Sequence, residues 1–334
     1  MFVGGPNTRE DFHLEEGAEF FYQLRGEMRL PTVQKGGMRK EVVIPAGHVF
    51  LLPSRVPHSP QRPEKGSLGL VVERRREAGE KDALRFYRDP ATCRERLFER
   101  YFTCRDLGKD LKPIIDVFKA SSEFQTRAPG PGALPETREI VEADIDVPEP
   151  FNLLGWVAAH AAELARPGSS VSLFGAEHPD DEFVIQIEGA SSAAQLRRAP
   201  LPDQETLLVQ LQGCSVLNLD EPEASGATGE ASSGAAAGAA AGAPGGAARR
   251  VTRSSSSSSS SSTASTAAAA VASSVSEQQG ARKKAKTRVS YTLAETSCFV
   301  VGAGRSFSME RDAGSVCMVV TQAKGAKKKQ QAVH

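Results

Sequence analysis

Residues 8–26 read TREDFHLEEGAEFFYQLRG and place one histidine and several carboxylates ahead of an aromatic run typical of a β-strand. His13 and Glu19 are six positions apart, an even spacing that puts both side chains on one face of an unbroken strand. A bend at Gly17 would instead put them on adjoining strand ends. Alone, the spacing also fits a surface histidine beside acidic residues, so the surrounding sequence has to decide.

Short segments rich in Val, Ile, Leu and Phe recur between Gly and Pro residues around this stretch. They predict antiparallel strands in EFFYQLRGEMRL (19–30), KEVVIPAG (40–47), HVFLLPS (48–54) and LGLVVERRR (68–76). Regular short strands separated by turns are typical of a small barrel or jelly roll whose inner face can hold a ligand. This part of the chain is therefore predicted to form a β-barrel.

Residues 90–120 change to a helical pattern after Asp89, which is placed to cap a helix. Gly108 and Pro113 are expected to divide the stretch into two helices. The apolar residues of this stretch recur at helical spacing, which favours core packing over a cofactor site. They are Leu97, Phe98, Tyr101 and Phe102.

A second set of strand-like segments lies beyond a Pro-rich stretch at 129–146 that predicts an interdomain linker. The set comprises SVSLFGAE (170–177), EFVIQIEG (182–189), TLLVQLQGCSVLNL (206–219), RVSYTLAETSCFVVGAG (288–304) and SVCMVVTQ (315–322). Residues 221–287, between two of these strands, are mostly Ala, Ser and Gly. They lack the large apolar side chains that offset ordering entropy, so we expect a disordered loop insert.

Composition excludes several classes of protein. The 334 residues contain 41 Lys and Arg and 41 Asp and Glu, so the chain lacks the positive field of a dedicated nucleic-acid binder. The basic runs at 282–288 and 327–329 are expected to be solubilising tail residues. Five single cysteines without a C-x-x-C pair argue against disulfides and thiolate zinc sites. With no long apolar run or signal segment, the sequence predicts a soluble cytoplasmic protein without a membrane partner.

The spacing of Gly, Pro and His residues resembles the two motifs of the cupin superfamily, G-x5-H-x-H-x3,4-E-x6-G and G-x5-P-x-G-x2-H-x3-N. The residues that match are Gly5, His13, Glu19 and Gly26 for the first motif and Gly47, Pro53 and His58 for the second. Asp11 replaces the first histidine, and Arg62 replaces the final asparagine. A set of two histidines and one carboxylate leaves coordination positions open, which suits ferrous iron better than a closed zinc site.

Two arginines are expected near these ligands, because Arg9 precedes His13 by four positions and Arg62 follows His58 by four. A guanidinium binds a carboxylate as a planar two-pronged donor, so the pair predicts a carboxylated substrate. The alternative is that both arginines pair with surface acids.

Three stretches resemble the 3-hydroxyanthranilate 3,4-dioxygenase family: MFVGGPNTREDFHLEEGAEFFYQLRGEM (1–28), VFLLPSRVPHSPQR (49–62) and GLVVERRR (69–76). The resemblance covers nearly all of residues 1–128 and is fainter beyond. It implies a mainly β chain of two cupin jelly-roll domains with a few helices. The domains would be a catalytic cupin with a helical extension at 1–128, a linker at 129–146, and a degenerate, metal-free cupin at 147–334, interrupted at 221–287.

Residue by residue, the family implies His13, Glu19 and His58 as ligands of Fe2+. Glu19, Arg62 and Glu73 would bind substrate, Arg9 would lie at the oxygen position, and Glu73 and Arg9 would be the catalytic residues. From the sequence alone, Glu73 fits an ion pair with Arg74–Arg76 better than a functional role. Aligning VGAGRSFSMER (301–311) with LPSRVPHSPQR (52–62) puts Phe307 where His58 stands, and His48, His160 and His178 are expected outside any site.

The implied reaction is extradiol cleavage of 3-hydroxyanthranilate by O2 to 2-amino-3-carboxymuconate semialdehyde, which closes to quinolinate, a precursor of NAD. The family also implies a monomer, and it carries residues ahead of Met1, so the first barrel is expected to lack an edge. Two other functions stay open: a cupin isomerase or hydrolase with zinc or manganese, and a non-catalytic cupin that binds an aromatic acid or acts as a scaffold.

Overall fold

The computed structural model describes residues 1–190, 198–199, 201, 203–220 and 288–323 of the chain. The insert predicted at 221–287 and the basic run at 327–329 lie outside these residues. Of the basic run at 282–288, only Arg288 is among the described residues. Among the described helices, none is both long and apolar enough to span a membrane.

Strands dominate the described chain, which confirms the predicted mainly β fold. The strands of the first half are β1 (Phe2–Gly4), β2 (Phe12–Leu14), β3 (Glu19–Arg25), β4 (Met28–Gln34), β5 (Met38–Ile44), β6 (His48–Leu52), β7 (Leu68–Glu73), β8 (Asp82–Tyr87) and β9 (Arg96–Phe102). Those of the second half are β10 (Phe151–Asn152), β11 (Ser170–Ser172), β12 (Phe183–Glu188), β13 (Thr206–Gln212), β14 (Ser215–Asp220), β15 (Arg288–Leu293), β16 (Cys298–Val301), β17 (Phe307–Arg311) and β18 (Val316–Gln322). The helices are α1 (Leu107–Lys119), α2 (Ser122–Thr126), α3 (Leu153–Ala159) and α4 (Ala161–Leu164), with a 3-10 turn at Lys35–Gly37.

The first barrel consists of a five-stranded sheet in the order β1-β7-β3-β6-β10, which faces the smaller sheets β2-β8-β9 and β4-β5. The second barrel has a five-stranded sheet, β11-β12-β18-β13-β16, and a three-stranded sheet, β15-β14-β17. The two barrels predicted from the sequence are therefore both present.

Strand β3 is buried on both faces, which explains its consecutive aromatic residues. Phe21 packs inside the first barrel with Phe50 and Val71. Phe20 points the other way, into a core that both five-stranded sheets share. From the second barrel that core receives Ile185, Ile187 and Met318. The two barrels thus bury apolar surface against each other.

The predicted helix at residues 97–102 is wrong, because these residues form β9 and pair with β8. Two adjacent pairs of apolar residues, four positions apart, fit one face of a helix. They fit a strand equally well when both faces of the strand are buried. Glu99 on β9 is fully buried and accepts hydrogen bonds from Arg85 on β8, so it links the two strands. Asp89 accepts hydrogen bonds within a turn and caps no helix.

Helix α1 also differs from the prediction. It begins after Asp106, whose side chain accepts a hydrogen bond from the Gly108 amide, and it continues through Pro113 without a break. The second helix of this region starts only at Ser122.

Residues 129–146 form neither helix nor strand, yet they pack on the first barrel. Ile140 and Ala143 are buried, and the Ala143 amide donates to the Arg55 carbonyl at 2.9 Å. Phe151, just beyond, pairs with β6 of the first barrel. The stretch predicted as a linker is therefore held against the barrel, and the proposed domain boundaries stay predictions.

Candidate metal centre

His13, Glu19 and His58 meet inside the first barrel. One ligand atom of each lies within 4.8 Å of the others, and all three residues are buried. Glu19 Oε1 lies 2.7 Å from His58 Nε2 and 3.8 Å from His13 Nδ1. The main chains of His13 and His58 exchange hydrogen bonds of 2.7 and 2.9 Å, which fixes the two histidines beside each other.

The turn at Gly17 separates the two ligands of the first motif. His13 lies in the middle of β2, and Glu19 is the first residue of β3. The structure therefore has the arrangement on adjoining strand ends rather than the single unbroken strand. His58 follows β6 in a turn bounded by prolines, where it also bridges Thr32 of β4.

Each imidazole is oriented by a hydrogen bond on its far side. His13 Nε2 lies 2.7 Å from Asp82 Oδ2, and His58 Nδ1 lies 2.9 Å from the Val56 carbonyl. Because those nitrogens bond to acceptors, they carry the protons in the neutral rings, and His13 Nδ1 and His58 Nε2 keep lone pairs on the side of Glu19.

The donor set fits a metal ion. His58 Nε2 and Glu19 Oε1 are buried and approach closely, yet neither has a hydrogen-bond partner among the described residues. Buried polar atoms without partners are rare in folded proteins and call for an explanation. A divalent cation bound by two imidazoles and one carboxylate would satisfy both atoms.

Sequence reasoning missed Glu15, Asp82 and Arg76, which surround the three ligands. Arg76 donates to Asp82 Oδ2 at 2.8 Å and to Glu73 Oε2 at 2.6 Å, and its Nη2 lies 2.7 Å from Glu15 Oε2. One guanidinium thus holds both the carboxylate that orients His13 and a candidate catalytic carboxylate. Asp82 reaches His13 through the pairing of β2 with β8. The sequence of either segment alone does not show this pairing.

The electrostatics divide the carboxyl groups into two kinds. Burial, and then the charge of Glu19, raise the pKa of Glu15 well above its usual value and also raise the pKa of Glu73. Burial would raise the pKa of Glu19 as well, but the charge of His58 and the neighbouring His13 ring hold it well below its usual value. Glu19 is thus the anionic member of the group, as a metal ligand must be.

Burial lowers the pKa of His13, but the hydrogen bond with Asp82 and the charges of Asp82 and Glu19 outweigh this effect and raise the pKa to about 9. Any proton that His13 holds on Nδ1 must leave when a metal binds, because only the unprotonated nitrogen is a ligand.

The two predicted arginines differ in their surroundings. Arg62 is 1% exposed, its Nε has no hydrogen-bond partner, and no carboxylate pairs with it in the described part of the chain. Gly69 leaves room for it, since a Cβ there would lie 2.9 Å from Arg62 Nη2. Arg9 instead pairs with Asp11 and lines a groove of about 540 Å³.

The other three histidines in the described part of the chain lie apart from the centre. His48 bonds the Ala46 carbonyl, and His160 stacks on Trp156 at the end of α3. His178, expected outside any site, is half-buried between the barrels, where its Nε2 lies 3.1 Å from the Leu51 carbonyl.

The chain is similar to proteins of known function. A family model described as 3-hydroxyanthranilic acid dioxygenase matches residues 1–119. The 3-hydroxyanthranilate 3,4-dioxygenase of Bos taurus is 44% identical over 220 residues, which cover 66% of this chain and 73% of that protein. The enzyme of the same name from Rattus norvegicus is 42% identical over 219 residues, covering 66% and 72%.

Among solved structures, oxalate decarboxylase from Bacillus subtilis aligns with 94% of this chain and 64% of its own, at 12% identity and a TM-score of 0.39. A TM-score of this size is too low to support an inference.

Proposed function

The chain belongs to the 3-hydroxyanthranilic acid dioxygenase family, and we propose that it cleaves 3-hydroxyanthranilate with O2 at an Fe2+ centre held by His13, Glu19 and His58. The product would be 2-amino-3-carboxymuconate semialdehyde, which closes to quinolinate. The observation that carries the proposal is the convergence of two buried imidazole rings and one buried carboxylate, with ligand atoms within 4.8 Å of one another.

Bound ferrous iron would supply a Lewis acid for the neighbouring hydroxyl and amino groups of the substrate and a path for electrons to O2. Three protein ligands leave positions for substrate and oxygen.

Arg62 binds the substrate carboxylate in this proposal. A buried guanidinium without an anionic partner is unfavourable, and a planar carboxylate would satisfy it with two parallel hydrogen bonds. Because Arg62 lies four residues from His58, this contact would fix which edge of the aromatic ring faces the metal.

Glu73 is the proposed proton acceptor. Burial and the charge of Glu19 raise its pKa, so its carboxyl group is better suited than an exposed one to accept the proton of the substrate 3-hydroxyl. Arg76 holds Glu73 Oε2 in place. Arg9 stays a prediction for the oxygen side, since its guanidinium pairs with Asp11 in this structure.

A direct test loads the protein with Fe2+ under anaerobic conditions, adds 3-hydroxyanthranilate, and then admits oxygen. The semialdehyde absorbance band should appear in the wild type and be absent in His58→Ala. Iron-loaded, folded wild-type protein that gives no band would contradict the dioxygenase proposal and favour a non-catalytic cupin. Turnover with zinc or manganese in place of iron would contradict the choice of metal.

A monomeric state and a cytoplasmic location stay predictions. Light scattering coupled to size-exclusion chromatography and cell fractionation would test them.

A further inference from the structure

A loop of the second barrel reaches the metal centre of the first. This anchor loop, residues 178–182, lies between β11 and β12. Three of its side chains contact the first barrel, where they meet main-chain groups and one arginine. His178 Nε2 lies 3.1 Å from the Leu51 carbonyl, and Asp180 Oδ2 accepts the Ser54 amide hydrogen at 2.9 Å.

Glu182 makes the third contact and the closest one to the ligands. Its Oε2 accepts the Ala18 amide hydrogen at 2.7 Å, and its Oε1 pairs with Arg74 Nε. Ala18 directly precedes the ligand Glu19, and Arg74 directly follows Glu73. One carboxylate of the second barrel therefore holds the chain beside two site residues that pair across β3 and β7.

The packing around Glu182 leaves little freedom. Ala18 is fully buried, and a Cβ on Gly17 would lie 3.3 Å from Glu182 Oε2. Arg74 is held from its other side by Glu80, with hydrogen bonds of 2.6 and 2.8 Å. Without Glu182, the buried Ala18 amide would lose its acceptor, and the turn between β2 and β3 would lose its tie to the second barrel.

We propose that Glu182 is a positioning residue for the metal centre, through which the second barrel sets the place of the Glu19 carboxylate. The inference rests on the proposed function, because it takes Glu19 as a ligand. It gives the second barrel a part in the chemistry without any contact to substrate. Residues that orient metal ligands from behind commonly change metal affinity by about 10- to 100-fold.

The test measures Fe2+ affinity anaerobically by competition with a chromogenic chelator, in full-length variants well below their unfolding temperature. Glu182→Ala removes the acceptor, Glu182→Asp keeps the charge but shortens the reach, and Glu182→Gln keeps an amide oxygen for the Ala18 hydrogen. Glu177→Ala is the matched control, because Glu177 is an exposed carboxylate close by on the same connection between β11 and β12.

We expect Glu182→Ala and Glu182→Asp to weaken Fe2+ binding by about tenfold, Glu182→Gln to restore most of the affinity, and Glu177→Ala to match the wild type. If Glu182→Ala fails to fold, the contrast between the Asp and Gln variants still decides. Equal Fe2+ affinity in the Glu182 variants and the control, with only the unfolding temperature lowered, would overturn the inference. Failure of the metal centre itself is recognised separately, because His58→Ala would then bind Fe2+ as the wild type does.

Discussion

The two barrels are built on one plan down to single residues. In the first, Gln23 lies at an irregularity in the pairing of β3 and donates to the Arg25 carbonyl and to Ser67 Oγ, both at 2.8 Å. In the second, Gln210 lies at the same kind of irregularity in β13 and donates to the Gln212 carbonyl at 2.8 Å and to Ser315 Oγ at 2.7 Å. These equivalent hydrogen bonds align the sequence of the first barrel with that of the second.

In that register the second barrel has other residues at the positions of the three candidate metal ligands. Thr206 takes the place of Glu19. Phe307 takes the place of His58, because it bridges Arg198 and pairs with Leu219 as His58 bridges His13 and Thr32. Arg198 consequently occupies the position equivalent to His13. An arginine and a phenylalanine offer no lone pair to a metal ion, so the scaffold alone does not make the centre.

The arginine of the site is retained in both barrels, with different partners. Arg311 matches Arg62, and both are buried. Arg311 donates to Glu188 Oε2 at 2.6 Å, and Glu188 also pairs with Arg198. The second barrel neutralises its buried guanidinium from within, whereas Arg62 has no such carboxylate among the described residues. The difference supports the proposal that Arg62 receives its carboxylate from the substrate.

The largest expected effect comes from making the first site resemble the second. His58→Phe should abolish metal binding and turnover, because two remaining ligands hold a ferrous ion poorly. The converse Phe307→His should gain no metal, since Arg198 and Thr206 occupy the other two positions. Metal analysis of both purified variants checks this, and a second bound ion in Phe307→His would break the comparison.

Removing the internal carboxylate of the second barrel should be costly for stability. Glu188→Ala leaves two arginines without their shared partner, and breaking a buried ion pair in this way costs about 3–5 kcal/mol of unfolding free energy. Urea titration measures the loss, and Fe2+ affinity of the folded protein should stay at the wild-type value. A loss below about 1 kcal/mol would mean that Glu188 is not what neutralises Arg311.

Removing Arg62 should spare the metal and weaken substrate binding. Arg62→Ala deletes charge-assisted hydrogen bonds worth about 1.5–3 kcal/mol, which corresponds to roughly a 10- to 100-fold loss in kcat/KM. Steady-state kinetics with iron content measured in parallel separates the two effects. Loss of iron with unchanged substrate affinity would show that Arg62 serves the metal site and not the carboxylate.

A smaller effect is expected from the arginine that joins Asp82 to Glu73. Arg76→Lys cannot bond Asp82, Glu73 and Glu15 together, so we expect about a tenfold fall in kcat/KM with a parallel fall in Fe2+ affinity. Arg75→Lys is the matched control, because Arg75 is the exposed neighbour. Equal kinetics in the two variants would contradict a positioning role.

The smallest effect concerns the segment at 129–146 and its attachment to the first barrel. Burial raises the pKa of Glu142, but the hydrogen bond and charge of Arg85 outweigh it and lower the pKa. The ion pair of Glu142 with Arg85 therefore stabilises the fold fully above the unfolded pKa of about 4.3. This stabilisation is lost as the pH falls through the lower pKa that Glu142 has in the folded protein. Glu142→Gln should cost at most about 1 kcal/mol at pH 7 and nothing in strong acid, as urea titration would reveal. An equal cost at both pH values would exclude the ion pair as its cause.

Sequence patterns located the strands bounded by Gly and Pro, because these depend on local spacing, whereas the three candidate ligands were identified by the resemblance to the cupin motifs. Local patterns failed at β8 and β9, where burial on both faces hides the two-residue period. That failure also hid Asp82, which reaches His13 only through the pairing of β2 with β8. Glu182 was beyond any local pattern, since 164 positions separate it from Ala18.

The core shared by the two five-stranded sheets has a consequence for truncation. A chain cut before the second barrel would leave Phe20, Val49 and Leu51 facing water, an apolar patch that invites aggregation. We therefore expect the first barrel to need the second as a cover for this face, whether or not the second barrel takes any part in the reaction.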